Sequence, residues 1–168
     1  MPIKSMLSPE VKAVLNKAVH SELQQSHLWK HIANQLQRLG YFGAQKYFAK
    51  ESAEELEHYQ TLADYMNDMG DVASVPALSP ATARIGSLRD ALELAYKTES
   101  DVLAMYADAY RAMDDDEGAD DPVTRQFLLQ FLEIQRKAVG AYGDLISRLD
   151  RTNDDECGIL LIDQEMGE

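Results

Sequence analysis

Glu51-Ser52-Ala53-Glu54-Glu55-Leu56-Glu57-His58 lies halfway along the second of four long helical stretches, and its reading decides the fold. Glu55 and His58 stand three residues apart, so on a helix they share a face. Phe48, Glu55, Leu62 and Met69 recur at heptad spacing, with Glu51, His58 and Tyr65 on the adjoining line. A carboxylate and an imidazole therefore project together from a stripe that is otherwise apolar.

The same interruption recurs at the middle of the other three stretches. Helix one carries Val11, Leu15, Ala18, Glu22, Gln25, Trp29, Ala33 and Leu36 on one face, and Glu22 sits inside it. Helix three carries Leu88, Leu92, Ala95, Glu99, Val102, Tyr106 and Met113, and helix four Leu128, Phe131, Gln135, Ala138, Tyr142, Leu145 and Leu149. Glu99 and Gln135 are the polar members. Mid-helix residues meet at one height in a bundle whichever way each helix runs. Three buried carboxylates at one level need protons, cationic partners or metal, and these stripes supply no Lys or Arg there. Oxygen and imidazole ligands suit a pair of iron ions bridged by Glu55, with Glu22 and His58 on one, Glu99 on the other and Gln135 beside the second.

Local signals set the boundaries. Ser8-Pro9-Glu10 offers an N-cap, a proline at the first helical position and an acid near the positive end of the dipole, which predicts a helix over about 9–39, stopped by Gly40. A second is expected over about 44–70, a third over about 87–113 after Ser87, and a fourth over about 122–149 from Asp121-Pro122. A short fifth is expected over about 158–166. Pro76, Pro80 and their Ser and Thr neighbours break the helical period between helices two and three. That long link can return the chain along the length of helix two, giving an all-α, four-helix bundle with one long crossover and a short C-terminal helix. One domain over 1–168 is the expectation for this length.

Charge and cysteine content narrow the function. With 29 acids against 16 bases, a formal net charge of -13 repels phosphate backbones and anionic membranes, so neither nucleic acid nor a membrane is an expected partner. The single Cys157 leaves no intrachain disulfide and no CxxC, and the start Met1-Pro2-Ile3-Lys4-Ser5 lacks an apolar segment of signal-peptide length. A cytoplasmic location is expected. His20, His27 and His31 lie on one line of helix one, about 140° to 200° from Glu22 by the helical period, and so belong to a surface or interface. Glu54 and Glu57 flank the central pair as a solvated face or as residues that pass a cation onward. The acids of 114–121 read as a solvated turn, or as a cluster that would concentrate cations if it stood at a pore mouth.

Several segments together resemble the non-haem ferritins over nearly the whole chain: His20-Ser21-Glu22-Leu23, Lys46-Tyr47-Phe48, Glu54-Glu55-Leu56-Glu57-His58, Tyr96-Lys97-Thr98-Glu99, Gln135-Arg136-Lys137-Ala138 and Leu161-Ile162-Asp163-Gln164-Glu165. The resemblance implies a ferroxidase centre that oxidises Fe(II) with O2 or hydrogen peroxide, in a hollow homo-oligomeric shell of twenty-four subunits that stores ferric mineral. It implies Glu22, Glu55 and His58 as ligands of the first iron, Glu55 and Glu99 as ligands of the second, and Gln135 and Glu54 nearby.

Departures from the family are informative. Ala138 and Ala141 stand where bacterioferritins carry a second Glu-x-x-His, and Leu56 where they carry a haem-ligating Met, so no haem is expected. Gln135-x-x-Ala138 resembles the catalytic chains of animal ferritins. Trp29 replaces a frequent Tyr; it can be oxidised by one electron but lacks the phenol that would hydrogen-bond a ligand. Arg125 and Leu128 take the places of the acids that line three-fold pores. A diiron oxidase or peroxidase without a mineral store remains the alternative, separated from storage by how much iron each chain retains.

Overall fold

The computed structural model of the chain describes residues 4–114 and 119–168. Five helices follow in order: α1 (Pro9–Leu39), α2 (Phe42–Asp68), α3 (Leu88–Arg111), α4 (Pro122–Asp150) and α5 (Glu156–Met166). α1 pairs along α2 and α3 along α4, α1 also meets α3, and α5 lies against α2 and α4. This is the expected four-helix bundle with a long crossover and a short last helix.

The predicted caps form. Ser8 accepts from the Val11 amide, Ser87 from that of Asp90 and Asp121 from that of Thr124, each contributing about 1 kcal/mol. Gly40 ends α1 at φ 89°, a left-handed conformation that costs glycine nothing. Two helices begin earlier than the sequence suggests. α5 starts at Glu156 because Asp155 serves as its N-cap, accepting from the Gly158 amide. α2 starts at Phe42 although Tyr41 makes no side-chain cap. Its free amides are met from the far end of the chain: Asp163 of α5, buried, accepts from Ala44 N at 2.7 Å and Gly43 N at 3.3 Å. The fit is close, since a Cβ on Gly43 would lie 1.7 Å from the Asp163 carbonyl oxygen.

The crossover is fastened to α1 rather than left as a free strap. Asp71 takes Lys12 at 2.5 Å, Ser74 bonds Asn16, and Ser79 exchanges two hydrogen bonds with Gln24. His31 and Gln35 then reach the Ala83 carbonyl at 2.9 and 3.0 Å. These contacts run along one line of α1 and give that polar line a structural task.

Inside, the apolar core is split in two. One cluster gathers Trp29, Leu36, Phe48, Leu92, Tyr142 and Leu149, extending to Ile162 of α5. The other gathers Val11, Leu15, Leu62, Met66, Tyr106, Leu128 and Phe131. Leu128 is wholly buried here, as its place on the core stripe of helix four predicts, although the family resemblance set it at a pore position. Arg125 is held by Asp114 at 3.0 Å with its guanidinium 4.5 Å from the Tyr110 ring centre. Of the acidic turn, Asp115, Asp116 and Glu117 lie outside the described residues, as do Met1, Pro2 and Ile3.

Candidate metal centre

Between the two apolar clusters lies a polar layer built by all four long helices. Glu22 of α1, Glu55 of α2, Glu99 of α3 and Gln135 of α4 are 0, 4, 1 and 1 % exposed. Each sits on the buried stripe of its helix. Glu99 lies between Ala95 and Val102, and Gln135 between Phe131 and Ala138. Glu22 and Glu55 follow stripes that are apolar on either side of the layer, from Leu15 to Leu36 and from Phe48 to Leu62, so helix packing carries the polar groups inward. Among the described residues no Lys or Arg is buried with them.

Glu22, Glu55 and His58 converge, with one ligand atom of each within 4.8 Å of the others. His58 Nδ1 stands 2.7 Å from Glu55 Oε2 and 3.4 Å from Glu22 Oε2. Glu99 and Gln135 belong to the same layer without joining that triplet. Tyr106 donates its hydroxyl to Glu22 Oε1, and Trp29 Nε1 donates to Glu55 Oε1 at 3.1 Å. The indole N–H thus holds a carboxylate from the position where the sequence had raised the loss of a phenol.

The layer is short of partners. Glu22 Oε2, Glu99 Oε2, Gln135 Oε1 and both carboxamide atoms of Gln25 are buried without a hydrogen bond, whereas buried polar groups in folded proteins are nearly always paired. Burial pushes the Glu99 carboxyl up to about 8, and the Glu55 charge adds to the rise. Burial also raises Glu55 to about 7, the His58 hydrogen bond opposing and Glu22 reinforcing. For His58 burial works downward, yet the two carboxylates beside it, Glu22 and Glu55, outweigh it and hold the imidazole at about 10. Glu55, His58 and Glu99 all move the same way: without a cation they retain protons near neutrality. A divalent cation would displace those protons and occupy the orphaned oxygens. Carboxylate oxygens and imidazole suit iron or a similar divalent ion, so the donor set fits.

The remaining sequence candidates are placed as follows. Glu54 is part-exposed and pairs with Lys50 at 3.2 Å, and Glu57 is exposed. His20 and His27 are exposed, whereas His31 is tied to the crossover. Three participants were not singled out from sequence. Gln25 was a member of the α1 stripe, and a second polar residue one turn from Glu22 was the available signal. Tyr106 read as core packing. Glu51, which accepts from Tyr142 at 3.3 Å and is raised to about 7 by burial and by Glu54 and Glu55, read only as the adjoining line of α2.

Comparison with known proteins accords with this architecture. The chain is 30 % identical over 156 residues to a ferritin of Pacifastacus leniusculus, covering 90 % of this chain and 84 % of that one. It is 24 % identical to a probable bacterial non-heme ferritin-like protein of Haemophilus influenzae, covering 96 % of each. A bacterial non-heme ferritin of Bacteroides fragilis is also 24 % identical, over 97 % of this chain and 99 % of its own. In fold, an open pore ferritin from the hyperthermophilic archaeon Archaeoglobus fulgidus superposes with a TM-score of 0.91 at 20 % identity, over 97 % of this chain and 98 % of that one. The family model of the ferritin-like domain matches residues 12–152, which take in every member of the polar layer, and the chain belongs to the ferritin family.

Proposed function

We propose that this chain is an iron-storage ferritin that oxidises Fe(II) at an intra-subunit two-iron centre and deposits the ferric product inside a homo-oligomeric shell of twenty-four copies. The observation that carries the reading is the mid-bundle layer: three carboxylates from three helices, buried among orphaned oxygens and accompanied by one imidazole. In this reading Glu22, Glu55 and His58 hold the first iron, and Glu55 and Glu99 the second. Gln135 presents its free Oε1 beside the second ion, and Glu54, part-exposed on α2, serves transfer rather than binding.

Iron is the substrate here. Each of two Fe(II) ions gives up one electron; dioxygen takes both electrons with two protons and leaves as hydrogen peroxide, or peroxide takes them with two protons and leaves as two waters. The chain sets the number and kind of ligands. His58 and the protonated carboxyls yield their protons as iron enters, Trp29 and Tyr106 orient Glu55 and Glu22, and the two apolar clusters keep bulk water from the layer. Low cysteine content suits a cytoplasmic location, and the exposed Cys157 takes no part.

The test is stepwise addition of Fe(II) to metal-free protein in air, with soluble iron counted per chain. Uptake far beyond two irons per chain is the expected result. Saturation at two would replace storage with a diiron oxidase that keeps no mineral, and no binding at all would remove the centre.

A further inference from the structure

A cavity of about 700 Å³ opens on the outer side of the bundle where α1, α3 and the crossover meet. Residues 80–83 of the crossover form its roof, and Leu28, Leu94, Val102 and Met105 make apolar walls. Its charged rim carries both signs, Lys17 and Asp101, so it gathers neither cations nor anions.

The floor of this cavity is Gln25, the residue whose carboxamide is buried without a hydrogen bond. Gln25 is 2 % exposed, and its amide acts on the Glu99 carboxyl, opposing the rise that burial imposes there. Among the described residues its polar atoms fall short of strict hydrogen-bond geometry, so Glu99 holds the side chain only loosely. One glutamine therefore borders the cavity and also meets Glu99. Only that loose contact with Glu99 holds it, and a change of rotamer would join the two spaces.

We propose that this cavity is the entry route for the small uncharged oxidant, dioxygen or hydrogen peroxide, with Gln25 as the side-chain gate onto the Glu99 side of the centre. The proposal rests on the two-iron reading above. A hydrated Fe(II) ion is a poor occupant, because the one carboxylate of the lining, Asp101, is already paired with Lys97, Lys17 adds a positive charge, and much of the wall is apolar. An uncharged diatomic or a peroxide loses little on entering, and the carboxamide supplies both a donor and an acceptor to a peroxide that reaches it.

Two variants test the route. Ala81→Trp fills the mouth from the crossover, away from every proposed ligand, and Gln25→Ala removes the gate. Wild type and both variants are titrated anaerobically with Co(II), read by its visible absorbance. They are then loaded with two Fe(II) per chain and mixed in a stopped-flow instrument with rising dioxygen or, separately, peroxide. The expected result is two Co(II) per chain throughout, a bimolecular rate constant about tenfold lower in Ala81→Trp and about threefold higher in Gln25→Ala. A response to one oxidant alone assigns the route to that oxidant. Unchanged rate constants in both variants, with two Co(II) still bound, overturn the route and leave the centre standing. Wild-type protein that fails to bind two Co(II) overturns the centre and the route with it.

Discussion

Buried carboxylates occur in two places in this molecule, and they differ in what surrounds them. Asp163 sits at the junction of α5 and α2 with two backbone amides to accept from, and the structure there is closed. In the mid-bundle layer Glu22 and Glu99 each keep an oxygen with no hydrogen bond, and Glu55 shares His58 with Glu22. Burial is the same in both; satisfaction is not. An acid whose partners are all present in its own chain is a strut, and one whose partners are missing is prepared for something the chain does not contain.

The contrast is sharpest in Glu55→Ala. Losing the shared ligand should slow Fe(II) oxidation by about 100-fold or more, while the metal-free protein melts within a few degrees of wild type, because a repulsive neighbour of Glu22 has gone. Stopped-flow oxidation beside a thermal scan reads both, and an unchanged oxidation rate would break the site assignment.

Asp163→Ala should do the reverse. Two amides at the start of α2 lose their acceptor, which costs about 2 kcal/mol and loosens α5 without touching the metal layer. Denaturant unfolding and proteolysis of the C-terminal helix report the loss. Oxidation that slows as much as in Glu55→Ala would erase the distinction between strut and site.

Acidity gives the gentlest probe. Glu51, Glu55 and Glu99 rise from 4.5 to about 7, 7 and 8, so between those values the folded chain holds protons that the unfolded chain releases. His58 acts in the same sense, its contribution complete below 6.5 and lost as pH climbs through about 10. Stability of the metal-free protein therefore falls as pH rises from about 5 to about 9, and bound divalent metal flattens that slope. A melting temperature that instead climbs over this range would mean the layer is ionised and paired without metal.

The course of the helices was legible because it is local: Ser8, Gly40, Ser87 and Asp121 carry their own stop and start signals. The polar layer was legible because Glu22, Glu55, Glu99 and Gln135 interrupt apolar stripes at matching heights. What escaped depends on contacts distant in sequence. α2 has no cap of its own and borrows Asp163 from about 120 positions downstream. Leu128 stands both on the core stripe of α4 and, by resemblance, at a pore position, and its burial selects the stripe. Gln25 lay on the correct face, but only the cavity behind it and the missing hydrogen bonds distinguish it from a filler.

The meeting of Gly43 with α5 carries a further consequence. A β-carbon there would lie 1.7 Å from one backbone oxygen, and one on Gly167 would lie 2.8 Å from the Gly43 Cα. The last helix is held in place by an atom that is not there. Position 43 is closed to every residue with a side chain unless α5 moves, so the C-terminal end of this chain and the beginning of its second helix can drift in evolution only as a pair.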